Sequence, residues 1–342
     1  PRRSRIIWWV GASVVMAGTP TPGRAGIGRA GRHGSLLQRQ VRSPSRMDAP
    51  FIDAEARVRS LDPSGRLLSA EPLAGGVASH TRKLVFETKE GSCAVVERRP
   101  KVMPGKPPPA ERAALEAALL ARLPDLDVPA PRLRRFEPPD TLVLDFLEGE
   151  VEPPPGAPAS VIGPAARALA ALHRLGPEHG LPAMRTFTDP LPDLKAWRPE
   201  LFGPGAVQAP ACPPFAGSPR LLHGDFWMGN LLWRGGELAG LLDWEDACLG
   251  DPMAELAAAC CDLHSRFGAG AADALAKAYG ALAPLHPSRL AWWDLYMPTA
   301  QLIFMDGWGL PPDELDRVRV AMTERRDQAL AALGPLSGVG PA

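Results

Sequence analysis

Residues 222–230 read LHGDFWMGN, and residues 242–245 read LDWE. Between them lie two short apolar runs, 231–233 and 238–242, separated by Arg234-Gly235-Gly236-Glu237. That spacing and turn chemistry predict a β-hairpin. A hairpin folds its two ends together. Asn230 stands just before the first run and Asp243 just after the second, so pairing brings their side-chain oxygens to one mouth. One carboxylate and one amide suit a hard cation such as Mg2+, which keeps waters and completes its shell with substrate phosphates. Asp225 lies on the loop entering the hairpin, where it can face a substrate rather than the metal. Any one of these residues alone reads as an ordinary turn or a strand cap. Asp225, Asn230, Asp243 and Glu245 together, at the mouth of one hairpin and surrounded by Trp227, Trp233 and Trp244, point to chemistry.

Elsewhere the chain sets limits. Lys+Arg and Asp+Glu both number 38, so no overall field recruits nucleic acid or a membrane surface, and charge gives no partner. The five cysteines, Cys93, Cys212, Cys248, Cys260 and Cys261, show no C-x-x-C spacing. They read as reduced thiols in the cytoplasm rather than a zinc site or a disulfide framework. No apolar run reaches the roughly 20 residues that span a bilayer. Arg2-Arg3-Ser4-Arg5 followed by Ile6-Ile7-Trp8-Trp9-Val10 has the look of a signal peptide. However, residues 17–46 are Gly, Arg, Ser and Pro without periodicity, and helix-like patterning opens at Met47. Residues 1–46 are therefore expected to be a disordered or mis-started leader, outside the fold.

From 83 to 88 the chain alternates like a strand, Lys89-Glu90-Gly91-Ser92 is a turn, and 93–98 is a second strand with Ala94, Val96 and Arg98 on one face. Residues 110–123 form a helix whose apolar stripe is Leu115, Leu119, Leu120 and Leu123, flanked by Glu116. After a buried strand at 141–146, Glu148-Gly149-Glu150 and Pro153-Pro154-Pro155 read as a hinge and linker. The boundary falls here, between a β-rich unit at 57–148 and a helical unit at 149–342. Residues 165–175 are a helix on which His173 reads as a packed core histidine without chemistry. Residues 181–219 are Pro-rich and weakly patterned. Asp251-Pro252 opens a helix with an Asp cap and Pro at the first helical position.

The run H-G-D-x-x-x-x-N followed by D-x-E resembles the catalytic and metal-binding segments of the aminoglycoside phosphotransferase and choline-kinase-like family, small-molecule kinases of protein-kinase-like fold. The resemblance implies an α+β, two-lobed architecture with a small β-rich N-lobe and a larger helical C-lobe. It implies that Asp225 is the catalytic aspartate, that Asn230 and Asp243 hold Mg2+, that Glu245 assists the metal or its waters, and that His223 orients the loop. Gly75-Gly76-Val77-Ala78-Ser79 resembles the loop that covers the nucleotide phosphates, though a double glycine is also a plain turn. Arg98 matches the third-strand position where kinases carry Lys, with Arg99 taking its place if the register shifts by one residue. Glu116 is its implied ion-pair partner, or else a solvated helix charge. Asp251 resembles a cap that supports the catalytic loop.

The implied activity is transfer of the γ-phosphate of ATP, with GTP as the alternative donor, to a hydroxyl of a small molecule. The acceptor stays open. Asp294, Asp306, Asp313, Glu314 and Asp316 are candidates for holding a polycation, while Trp292, Trp293 and Trp308 either box a quaternary ammonium or pack helices. Two other classes compete. A metal-dependent phosphoester hydrolase would use Asp225, Asp243 and Glu245 for two ions. A nucleotide-binding, pseudokinase-like regulator would most naturally have lost Asp225 or Asp243, and both are present. Nothing in the sequence fixes an oligomeric state.

Overall fold

In the computed structural model, the residues described are 52–73, 78–103, 106–151, 153–154, 157–189, 213–308 and 310–333. The expected leader at 1–46, the glycines Gly75 and Gly76, and residues 190–212 of the Pro-rich stretch lie outside them.

The first elements are α1 (Ala54–Leu61), β1 (Arg66–Pro72), β2 (Ser79–Thr88), β3 (Gly91–Pro100), α2 (Pro109–Arg122), β4 (Leu133–Glu137) and β5 (Thr141–Asp145). The strands form one five-stranded antiparallel sheet in the order β1-β2-β3-β5-β4. Thr88 pairs with Gly91, leaving Lys89-Glu90 as a two-residue turn, and the pairing runs on to Ser79 against Pro100. Both strands are thus longer than their alternating apolar parts. Alternation along β3 sorts its side chains between two layers. Val95 joins Val58, Leu84, Phe86 and Val143 in a small core under α1. On that side Glu97, fully buried, is held by Arg57 and Arg82. On the other side Val96 packs against the main core, and Arg98 follows it one pleat on.

The helix α2 begins with Pro at its first position and buries Ala113, Ala117, Leu119 and Leu120 together with two charged residues, Arg112 and Glu116. Leu115 of the expected stripe is half-buried. The chain then leaves the sheet, and Glu150 exchanges two backbone hydrogen bonds of 2.8 Å with Trp233. The crossing segment is thereby pinned to the hairpin of the second lobe.

Beyond the crossing come α3 (Ala159–Leu172), β6 (Thr186–Phe187), β7 (Arg220–Leu222), β8 (Leu231–Arg234), β9 (Glu237–Leu241), β10 (Cys248–Gly250), α4 (Pro252–Phe267), α5 (Ala269–Gly280), α6 (Pro287–Phe304) and α7 (Pro312–Leu333). The helix α3 starts at Ala159, six residues before the expected 165–175 helix, runs through Pro164 and ends at Leu172. At the centre of the lobe, α4 buries Met253, Leu256, Ala257, Cys260, Cys261 and Leu263 and packs on α5, α6 and α7. Trp292 and Trp293 are buried and Trp292 stacks on Tyr296 at 5.8 Å, so these tryptophans pack helices. Among the described residues no helix is long and apolar enough to cross a membrane.

Candidate active site

The strand β7 runs antiparallel to β10, with Leu222 opposite Cys248, and this pairing sets two loops side by side. The first follows β7 and carries His223, Gly224 and Asp225. Gly224 has φ +84°, and a Cβ there would lie 2.1 Å from the Asp246 carbonyl oxygen. No side chain fits at that close approach between the loops. The chain next makes a single turn at Met228–Asn230 and enters the β8–β9 hairpin. Gly235 and Gly236, at φ +60° and +86°, form its tip, as a primed two-residue turn requires. Leu242 N–H donates to Asn230 O at 2.9 Å, which closes the mouth.

Asn230 is buried, and its Nδ2 donates to the Asp225 carbonyl at 2.9 Å and to Asp225 Oδ2 at 2.8 Å. The aspartate is thus aimed by the amide five residues after it. Burial pushes the Asp225 carboxyl up to about 8, and the neighbouring Asp243 and Asp246 add to the shift. His223 is spent on backbone, since Nε2 donates to Leu242 O at 2.9 Å and Nδ1 accepts from Asp225 N–H at 3.3 Å. Burial holds its pKa below the ordinary histidine value, which keeps the ring neutral, as this pattern needs.

Behind the loop stands Glu255, in the first turn of α4. Its carboxylate accepts from Gly224 N–H at 2.8 Å and His223 N–H at 3.2 Å. His173 completes the support, with Nε2 at 3.1 Å from Glu255 and Nδ1 at 2.9 Å from the Tyr279 hydroxyl. His173 is buried, as expected of a packed core histidine, and both its nitrogens join a polar network under the His223–Asp225 loop. Asp251 caps α4 through Met253 N–H at 3.0 Å and also accepts from Trp293 Nε1 at 2.6 Å and Arg289 Nε at 2.7 Å.

Across the cleft, Arg98 of β3 is buried and meets Glu116 Oε1 at 2.6 Å, Glu245 Oε2 at 3.0 Å, Ser79 Oγ at 3.2 Å and the Asp243 carboxylate. Arg99 points the other way, to Asp140 at 2.9 Å. The pleat thus turns Arg98, not Arg99, toward Glu116. Burial opposes the Arg98 charge, but Asp243, Glu116 and Glu245 outweigh it, so the guanidinium stays firmly protonated. Burial lifts Glu116 to about 7 against the pull of Arg98. Asp243 is a non-glycine residue at φ +66°, and its side chain keeps 36% exposure. Although burial resists its ionisation, Arg98 and then Lys106 hold its carboxyl below the usual range. Asp246 is raised by burial to about 6, with Lys106 opposing.

Residues that the sequence reading did not single out are also here. Lys106 bonds Glu245 Oε1 at 2.6 Å and Asp246 Oδ2 at 3.1 Å, and Arg112 reaches Glu245 Oε1 at 3.2 Å. Arg112 could have been found, because it lies one turn before Glu116 on the buried face of α2. Lys106 sits in a Pro-rich segment without periodicity and gave no signal. Ser79 Oγ donates to Glu245 Oε2 at 3.2 Å, while Gly75 and Gly76 fall outside the described residues. Of the acidic residues suggested for a polycation, Asp294 is paired with Arg325 at 2.5 Å, Asp306 with Arg319 at 2.5 Å and Glu314 with Arg317 at 3.5 Å. Among the described residues no group of three or more His, Cys, Asp and Glu is arranged to hold a metal by itself.

A sequence profile of the phosphotransferase enzyme family matches residues 69–293. The chain belongs to that family, the aminoglycoside phosphotransferase and choline-kinase-like group. Solved structures share its fold. Macrolide 2′-phosphotransferase MphH from Brachybacterium faecium, as the apoenzyme, has a TM-score of 0.54 at 21% identity, covering 84% of this chain and 100% of that one. A thermostable mutant of aminoglycoside phosphotransferase APH(4)-Ia in ternary complex with ADP and hygromycin B gives 0.53 at 15% identity, over 82% and 99% of the two chains. Choline kinase LicA from Streptococcus pneumoniae gives 0.52 at 16% identity, over 79% and 97%. No curated protein matches the chain. The chain is thus an α+β, two-lobed protein of kinase-like fold, as its motifs implied.

Proposed function

We propose that the chain transfers the γ-phosphate of ATP to a hydroxyl of a small molecule, with Mg2+, in the cytoplasm. One observation carries the reading. Asp225, Asn230 and Asp243 converge at the hairpin mouth, opposite the buried Arg98–Glu116 pair of the other lobe. The donor set fits a hard ion: Asn230 spends its Nδ2 on Asp225, which leaves the amide oxygen, and Asp243 keeps an exposed edge. Asn230 and Asp243 would hold Mg2+, and Glu245 is the third residue that the family resemblance puts beside it. Bound there, Mg2+ supplies charge neutralisation to the phosphates.

The remaining work falls to side chains. Arg98 occupies the strand position that the family resemblance gives to the phosphate-holding cation, with Glu116 fixing its orientation. Gly75, Gly76 and Ser79 form the segment expected to cover the phosphates. Asp225, aimed by Asn230, accepts the proton of the acceptor hydroxyl as the new O–P bond forms and the bond to the leaving ADP oxygen breaks. The hydrolase alternative needs Glu245 free for a second ion, yet that carboxylate is engaged by Arg98, Lys106 and Arg112. Cys93, Cys248, Cys260 and Cys261 are free thiols, which supports a reducing compartment.

Purified protein with Mg·ATP, offered a panel of hydroxylated small molecules and amino alcohols, tests the proposal. ADP should appear with at least one acceptor, together with a phosphorylated product in the 31P spectrum. Nucleotide binding without turnover on any of them would favour a regulator instead.

A further inference from the structure

Of the acidic residues around the hairpin mouth, Glu245 is the least free to meet an ion. Its side chain keeps 2% exposure and both oxygens are occupied, Oε1 by Lys106 at 2.6 Å and Arg112 at 3.2 Å, Oε2 by Arg98 at 3.0 Å and Ser79 at 3.2 Å. Lys106 is itself almost fully buried and also reaches Asp246 at 3.1 Å. These bonds run from the segment between β3 and α2 to the segment after β9, so they join the two lobes directly across the site. Stability alone does not account for such a cluster, because buried ion networks are often matched or exceeded by apolar residues of similar volume. What such a connected network does secure is the position of its charges. A carboxylate already facing three cations has little left to offer a fourth.

We propose that Lys106, acting with Arg112, is a positioning residue of this site that withdraws Glu245 and Asp246 from the metal and leaves Asn230 and Asp243 as its protein ligands. The inference rests on the reading of the site as a Mg2+-dependent phosphotransferase. It departs from the family resemblance by moving Glu245 from the metal's surroundings to the clasp between lobes. Lys106 is at the same time the internal counter-ion of the carboxylates beside Asp243. Removing its charge uncovers two acids next to the metal position, so the free protein should bind a divalent cation more tightly, while the loop bearing Asp243 loses its fixed place.

The test is titration of Mn2+ alone into the nucleotide-free full chain, followed by the EPR signal of the free ion, beside kcat and KM for Mg·ATP on any acceptor found. Glu245→Gln, which uncovers the cations but removes no ligand, should weaken Mn2+ binding far less than Asp243→Asn, which should bind it about tenfold more weakly or worse. Lys106→Met should bind Mn2+ more tightly yet turn over more slowly, and Lys106→Arg should restore both. A lysine with only a structural role would shift the melting temperature and kcat without tightening Mn2+. The proposal is overturned if Glu245→Gln weakens Mn2+ binding as much as Asp243→Asn, or if a folded Lys106→Met binds Mn2+ no more tightly than the parent. Should Lys106→Met fail to fold, the Glu245→Gln comparison still decides. Unchanged Mn2+ binding in Asp243→Asn would be a different result, overturning the metal-site reading itself together with the proposal.

Discussion

Asp225 and Asp243 are both aspartates beside the same hairpin, but their surroundings give them different work. Asp225 is aimed by an amide and raised by burial, while Asp243 is held ionised by Arg98. Phosphoryl transfer passes through a loose transition state whose charge lies on the transferred oxygens, so placement of charge outweighs strong base chemistry. Asp225→Asn should therefore lower kcat by roughly 10²–10⁴ while Mg·ATP still binds nearly normally. Asp243→Asn should abolish the Mg2+-dependent part of nucleotide affinity. Calorimetry with and without Mg2+, beside kcat, separates the two, and a loss of Mg2+ dependence in Asp225→Asn alone would reverse the roles. At the neighbouring cation, Arg98→Ala should raise KM for ATP and lower kcat, while Arg99→Ala, on the face of β3 that meets Asp140, should leave both unchanged. Steady-state kinetics of the pair would show the reverse if the clamp were Arg99.

At the scale of elements, the hairpin was legible because everything that specifies it is local. Two apolar runs and a Gly-Gly turn fix the register, and the register alone brings Asn230 to Asp243. The β2–β3 hairpin and α2 were legible for the same reason, since their periodicities of two and 3.6 are written in consecutive residues. Other parts were not. The strand β1, RLLSAEP, is largely exposed and shows no clean alternation, so it left no pattern to read. Pro164 hid the start of α3. Glu255 looked like an ordinary acid in a first helical turn, and only the fold puts two loop N–H groups on it. The tie from Lys106 to Glu245 joins residues 139 positions apart, a separation that no local period encodes. The loop geometry also gives a sharp expectation. Gly224→Ala combines a left-handed φ with backbone contact to Asp246, and should destabilise by about 1–3 kcal/mol or more, beyond the usual Gly→Ala effect. Urea unfolding of this variant checks it, and a wild-type midpoint would mean that the two loops can part cheaply.

Over the whole molecule, the main core runs unbroken from α2 and Val96 of the sheet to α4, α5 and α6, so the small lobe is not an independent unit resting on the large one. A chemical probe of that continuity lies at its centre. Cys260 and Cys261 are fully buried on α4, and burial pushes the Cys260 thiol up to about 12 and Cys261 higher still. Only thiolates alkylate, so neither should react with iodoacetamide until the lobe opens, whereas the half-buried Cys93 on β3 should react in the native state. Peptide mass spectrometry across a denaturant series checks this, and early labelling of Cys260 would place local opening inside the core helix. The far end of the β8–β9 hairpin has the opposite character. A Cβ built on Gly235 or Gly236 meets nothing within 4 Å, while Leu231 and Leu241 hold the other end in register. The chain can therefore be lengthened at this tip, so that a fluorophore or an affinity peptide inserted between the two glycines would report on the enzyme at work without touching the groups that do the work.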